Sequence, residues 1–208
     1  ALPISGGKMN QKNWDHYAPI YNFFMKKDRS AYEQMYTLIR RTVKQKSVLE
    51  LATGTGLIAK NIAEYAKSIE ATDYSEKMIA EARKGNQPKN LHFSVADACD
   101  LQFADASFDV AIISNALHIM PSPEQALSEI NRVLKSDGVC IAPTFVHGKM
   151  RFSKRLLSKG MGIVGFQTEH KWTENEYLAF LNRNGWKVRN HTLLNASFPL
   201  AYTECIKM

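Results

Sequence analysis

The chain has 208 residues, 45% hydrophobic and 23% charged, with 27 Lys and Arg against 20 Asp and Glu for a formal charge of +7. That is enough for one domain with a small cap around a real core, and it excludes collagenous, disordered and disulfide-framed classes. Cys99, Cys140 and Cys205 are odd in number and far apart, which indicates neither a disulfide framework nor a zinc site and makes a reducing cytoplasm the default compartment.

No apolar run approaches the roughly 20 residues needed to span a bilayer. The first eight residues, ALPISGGK, are unpatterned and precede Met9, so they read as an expression scar. Residues 9–46 read as an N-terminal helical cap. An aromatic-rich opening, WDHYAPIYNFFM, leads into AYEQMYTLIRRTV, where Ala31, Met35, Leu38, Ile39 and Val43 recur at helical spacing.

The pattern then alternates. A strand over 47–52 is followed by a helix over 56–67, a strand over 68–73 and a helix over 75–85 that stops at Gly85. Strands over 91–97 and 108–117 come next, then a helix over 122–135 and a strand over 137–145. Strands alternating with helices predict βαβ units in a parallel sheet with helices on both faces. Residues 148–166 form a basic, glycine-interrupted insertion. A helix then begins at Thr173 and Glu176, which stand at capping-box spacing, and the tail holds two β-like runs with no helix between them, which predicts an antiparallel pair.

The stretch VLELATGTGLIA, residues 48–59, places Glu50 near the end of a strand and follows it with a glycine-containing turn. Such a turn admits a ligand close to the main chain and offers unpaired N–H groups at a helix start. Residues 54–59 fit G-x-G-x-x-G/A, which by itself leaves NAD and S-adenosylmethionine as alternatives. Glu50 favours the second, because a carboxylate beside a pyrophosphate sets anion against anion, whereas a free amino group welcomes it. Asp73 closes the second strand, where an acid can accept bonds from both ribose hydroxyls, a feature that NAD enzymes share. Asp97 closes the next, where it could take the exocyclic amine of adenine. Three acids at successive strand ends line one edge of the sheet, the edge at which open α/β folds bind ligands.

On these residues the chain resembles the class I S-adenosylmethionine-dependent methyltransferases, from about Tyr17 to Lys207. VLELATGTG is similar to their first motif with Ala52 in place of a glycine, ATDYSEKMIAEAR to their second, and VADACDLQFADASFD to their third. ISNALHIMPSPEQALSEINRVLKSDG is similar to the following strand and helix, with Ser136-Asp137 where Pro-Gly is usual. The pattern is nearest the type 11-like subgroup that contains quinone-biosynthesis, phospholipid and small-molecule methyltransferases.

The resemblance implies a Rossmann-like, doubly wound α/β fold over 47–208: a seven-stranded sheet, mostly parallel, with an antiparallel C-terminal hairpin strand. It implies S-adenosyl-L-methionine as cofactor, S-adenosyl-L-homocysteine as product, and no metal. Ala52, Thr53, Gly54 and Gly56 would cradle the methionine end, with Glu50 near its amino group. Asp73 would hold the ribose, Tyr74 and Met78 would flank the adenine, and Asp97 with the Ala98 main chain would read its edge. Asn115 would lie near the transferable methyl. His118 is the best-placed base, with a packed structural histidine as the alternative, and Tyr17 is placed over the cofactor by the N-terminal segment. Met78 has an ordinary core role as its alternative.

The implied activity is in-line methyl transfer to a small or lipophilic acceptor, in which alignment carries much of the rate. SNAL after the fourth strand lacks the Pro-Pro-aromatic tetrad of base-amino methyltransferases, and there is no arginine-rich run, so no nucleic-acid partner is expected. KMRFSKRLLSK, residues 149–159, is read either as a solvated lid or as a peripheral contact with an anionic membrane, which would suit a phospholipid or quinone acceptor. The rivals are a NAD-linked oxidoreductase, which leaves Glu50 and Asp97 without a role, and a non-catalytic cofactor-binding protein.

Overall fold

The computed structural model describes residues 28–147 and 169–208. Tyr17, the aromatic opening and the basic insertion at 148–166 lie outside the described residues. Helix α1 (Arg29–Val43) leads into strand β1 (Ser47–Leu51), helix α2 (Leu57–Ile62), strand β2 (Ser68–Asp73), helix α3 (Glu76–Ala82), and strands β3 (Leu91–Val95) and β4 (Phe108–Ile113). A 3-10 turn at Leu117–Ile119 precedes helix α4 (Pro123–Val133), strands β5 (Leu134–Ile141) and β6 (Thr144–Phe145), helix α5 (Glu174–Arg183), and strands β7 (Trp186–Leu194) and β8 (Leu200–Lys207).

The sheet runs β3-β2-β1-β4-β5-β8-β6, with β7 on the far side of β8. β1 to β5 pair parallel, and β8 pairs antiparallel with β5, β6 and β7. Winding runs outward from β1 through β2 to β3, and then restarts on the other side at β4. That reversal opens a crevice at the carboxyl ends of β1 and β4.

The expected mostly parallel sheet with an antiparallel C-terminal hairpin is present, and among the described residues it counts eight strands because one strand is interrupted at Pro143. β5 and β6 pair with β8 in a single continuous register: Val139 to Ile141 lie opposite Ile206 to Glu204, and Thr144 and Phe145 lie opposite Ala201 and Leu200. Pro143, with no N–H to give, interrupts what is otherwise one line of strand. Helices α2 and α3 are also shorter than their apolar patterns, because Tyr65 N–H turns back onto the Ile62 carbonyl and Lys84 N–H onto Glu81.

Strand residues alternate between two cores. Val48, Ile69, Ala71, Val110, Ile112 and Ile141 pack against α1, α2 and α3. Leu49, Leu51, Ala111, Ile113, Cys140 and Ala142 pack against α4 and α5. Polar bonds also tie α1 to the rest. Asp28 accepts from both the N–H and the hydroxyl of Ser197, each at 2.8 Å, Thr42 donates to the buried Glu204 carboxylate at 2.8 Å, and Arg40 bonds Asn61.

At the start of α5 the predicted capping box is present. The Thr173 hydroxyl accepts from Glu176 N–H, and the Glu176 carboxylate accepts from Thr173 N–H at 2.7 Å. Thr173→Ala is expected to cost about 1 kcal/mol in urea denaturation, and no loss would mean that packing alone sets this helix start.

Candidate functional site

The site grows from the end of β1. Because side chains alternate along the strand, Glu50 points to the same face as Val48 and is carried beneath the start of α2, where it is 2% exposed. Its Oε2 is buried with no hydrogen-bond partner among the described residues, and so is the Thr53 hydroxyl. Burial pushes the Glu50 pKa up to about 8; the nearby Thr53 hydroxyl and Ala59 main-chain amide oppose the rise, and the charge of Asp73 adds to it. Glu50 is therefore a neutral acid at pH 7 until a cation comes beside it.

The turn after Glu50 visits left-handed backbone three times, at Ala52 (φ 52°), Gly54 (φ 59°) and Gly56 (φ 77°). The two glycines have different work. A Cβ on Gly54 would meet nothing within 4 Å among the described residues, which leave that face open for a ligand to approach. A Cβ on Gly56 would sit 2.6 Å from the Phe93 ring, so its hydrogen lets α2 close down on β3. Ala52 does need the positive φ that its Cβ disfavours, and it carries strain of about 1 kcal/mol.

Asp73 at the tip of β2 binds this turn directly. Its two oxygens accept Gly54 N–H at 2.8 Å and Ser75 N–H at 2.9 Å. Burial raises its pKa, and these two amides hold the rise back. Each carboxylate oxygen keeps a lone pair for a further donor. One carboxylate thus shapes the glycine turn and still has capacity for a diol.

Asn115 closes the crevice from β4. It is 8% exposed with φ 53°, its N–H is given to the Pro143 carbonyl at 2.8 Å, and its Nδ2 reaches the Tyr32 hydroxyl at 3.4 Å. Its Oδ1 is buried and has no partner among the described residues, as has the hydroxyl of Ser114. The β1–β4 register, with Leu51 beside Ile113, brings the ends of the two strands, and the turns that carry Thr53 and Asn115, to the same edge of the sheet.

The remaining predicted residues lie around this group. Tyr74 is 37% exposed just past β2, and Met78 is half-buried on α3, where its N–H goes to Ser75 Oγ. Asp97 is exposed past β3 and accepts Cys99 N–H at 2.8 Å, while Ala98 is buried beside it. His118 is not turned toward β1: it is 4% exposed, and Nδ1 lies 2.9 Å from the Thr144 hydroxyl on β6. Burial, with His147 and His170 near, pushes its pKa down to about 4. Two contributors were not singled out from sequence, Ser75 and Tyr32. A tyrosine on the buried stripe of an amphipathic helix was the available signal, since a buried phenol needs a polar partner.

An open α/β sheet with a glycine turn at its switch point, an acid at each of two adjacent strand tips, and orphaned polar atoms between them defines a nucleoside-cofactor site. The methyltransferase-domain family model matches residues 49–142. The demethylmenaquinone methyltransferase of Thermobifida fusca is 34% identical over 119 residues, 56% of this chain and 50% of that protein. The ubiquinone/menaquinone biosynthesis C-methyltransferase of Rickettsia bellii is 37% identical over 109 residues, 48% of this chain and 44% of that protein. The chain spans about half the length of the curated relatives it matches.

Among solved structures, a SAM-dependent methyltransferase of Thermotoga maritima superposes with a TM-score of 0.74 at 20% identity, covering 96% of this chain and all of that one. A chain from the Haloferax volcanii complex of the Trm112 methyltransferase activator with a methyltransferase gives 0.78 at 17% identity, over 95% and 96%. Residues 49–142 thus match the methyltransferase-domain family, and the chain shares the fold of these solved structures.

Two outcomes follow from the geometry of the turn. Ala52→Gly is expected to stabilise the ligand-free protein by up to about 1 kcal/mol, read as a shift in denaturation midpoint, because glycine relieves the left-handed strain at some cost in chain entropy. Glu50 keeps its proton up to a pH of about 8 when folded, against 4.5 as a model group, so between those values the native state binds more protons and stability falls as pH rises. Glu50→Gln is expected to flatten that slope and gain on the parent by a few kcal/mol at about pH 9 relative to about pH 5. Denaturation curves that stay parallel at both pH values would contradict a buried neutral Glu50.

Proposed function

We propose that the protein transfers a methyl group from S-adenosylmethionine to a small or lipophilic acceptor by in-line substitution. The observation that carries this reading is the buried Glu50 Oε2, which has no hydrogen-bond partner among the described residues, at the strand end that leads into the Gly54 turn. Buried polar groups without partners cost free energy, and a ligand that supplies an ammonium and hydroxyls relieves it. A sulfonium nucleoside with a free amino acid end has those groups, and a pyrophosphate does not. These residues fit that cofactor.

Glu50 would take the amino group and ionise as the cation arrives, Gly54 would admit the methionine chain, and Asp73 would receive the ribose hydroxyls. Tyr74, Met78, Asp97 and Ala98 would bound the adenine. When bound, the cofactor supplies a methyl already activated by its sulfonium, so the protein's task is alignment and exclusion of water. For a protonated acceptor, His118 is the base candidate. A pKa of about 4 suits it to an acidic proton and leaves it neutral at physiological pH. Tyr17 is proposed over the cofactor from outside the described residues.

The finer reading is a quinol or phospholipid acceptor met at a membrane surface by an otherwise cytoplasmic protein. It is supported by the relatives, which are named for demethylmenaquinone and for ubiquinone and menaquinone biosynthesis. Among the described residues no helix is long and apolar enough to cross a membrane.

Calorimetry with S-adenosylmethionine tests the site. Asp73→Ala is expected to weaken binding by about 1–3 kcal/mol, roughly ten- to a hundredfold or more, through lost charge-assisted bonds and a loosened turn. Equal affinity for mutant and parent would remove Asp73 from the site. An assay for S-adenosylhomocysteine across quinols, phenols, lipids, thiols and amines tests the activity, and turnover of none would favour the non-catalytic rival.

A further inference from the structure

The Asn115 amide is held at one end and orphaned at the other. Its Nδ2 donates toward the Tyr32 hydroxyl, while Oδ1 is buried and has no partner among the described residues. The backbone fixes the rest of the residue: φ is 53°, and the N–H is committed to Pro143. Rotation of the side chain is left, and the Tyr32 contact is the hydrogen bond that restrains it among the described residues. At 3.4 Å the bond is long, as active-site bonds often are before the reacting partner arrives.

Tyr32 is well placed to impose an orientation. It is 4% exposed on α1, its ring lies 6.3 Å from that of Tyr36, and the helix is pinned at both ends by Asp28–Ser197 and Thr42–Glu204. α1 is thus fastened to the β7–β8 hairpin at both ends, with Tyr32 between them reaching Asn115 past the end of β4.

We propose that Tyr32 is a positioning residue: its hydroxyl fixes the Asn115 amide so that Oδ1 accepts a hydrogen bond from an O–H or N–H on the acceptor. The proposal rests on the methyltransferase reading and names the acceptor class for that site, a molecule carrying a hydroxyl or amine donor at or beside the atom that is methylated. A fully masked ether or a bare hydrocarbon ring leaves Oδ1 buried and unpaired, which is a strong basis for rejection.

The test uses the full chain loaded with S-adenosylhomocysteine and two probes that differ in one group, 1-naphthol and 1-methoxynaphthalene, titrated by calorimetry. The parent is expected to prefer the naphthol about tenfold or more, in keeping with one buried hydrogen bond. Tyr32→Phe, which keeps the ring and its packing, is expected to lose most of that preference while holding its affinity for S-adenosylhomocysteine and its denaturation midpoint. Asn115→Ala should abolish the preference, and Tyr32→Phe in that background should change nothing more.

Equal binding of the two probes by the parent overturns the proposal, as does a preference that survives Tyr32→Phe. A parallel loss of midpoint and cofactor-product affinity in Tyr32→Phe overturns it in favour of a purely structural tyrosine. Failure of the parent to bind S-adenosylhomocysteine at all overturns the methyltransferase reading itself and this proposal with it, and so separates the two.

Discussion

A buried carboxyl group, with one oxygen unpartnered among the described residues, is the constraint around which this edge of the sheet is built. Glu50 stands at the end of an apolar strand, 2% exposed, where desolvation makes the charged form costly. The fold tolerates it by leaving it protonated, so the penalty is stored rather than released by an internal base. On the reading proposed above, a cation arriving beside the glycine turn would convert that stored cost into attraction.

The surrounding elements maintain that condition. Gly56 lets α2 close onto Phe93, while a Cβ on Gly54 would meet none of the described residues. Asp73 supports the same turn from the neighbouring strand through two amides. His118 is buried and turned toward Thr144, and burial holds its pKa down to about 4. For the proposed methyl transfer, whose leaving group is already activated, placement would be the main requirement on this edge of the sheet.

Much of this was legible from residue order. Acids at the ends of strands of period two, a glycine pair before an apolar helix, and the Thr173–Glu176 spacing each have a local cause, and each appears where that cause puts it. The features that escaped have non-local causes. Pro143 divides a strand only in relation to β8, whose partners it leaves in register. The inward face of Tyr32 has meaning only once α1 is laid across β4. The direction of His118 depends on Thr144, 26 residues away. Ala52 was suspect as a substitute for glycine, but only the backbone shows that its φ is 52°.

The place of β8 bears on how the polypeptide is made. This strand, the last of the described elements, enters the sheet between β5 and β7 rather than at a rim. Until Leu200–Lys207 leaves the ribosome, the amide edge of β5 stays open and the Glu204 carboxylate that anchors Thr42, Tyr202 and Arg189 does not yet exist. The half-built nascent chain therefore exposes an apolar strand edge, the template on which chains pair wrongly. The interior of the domain can seal only once β8 has been made and has entered between β5 and β7.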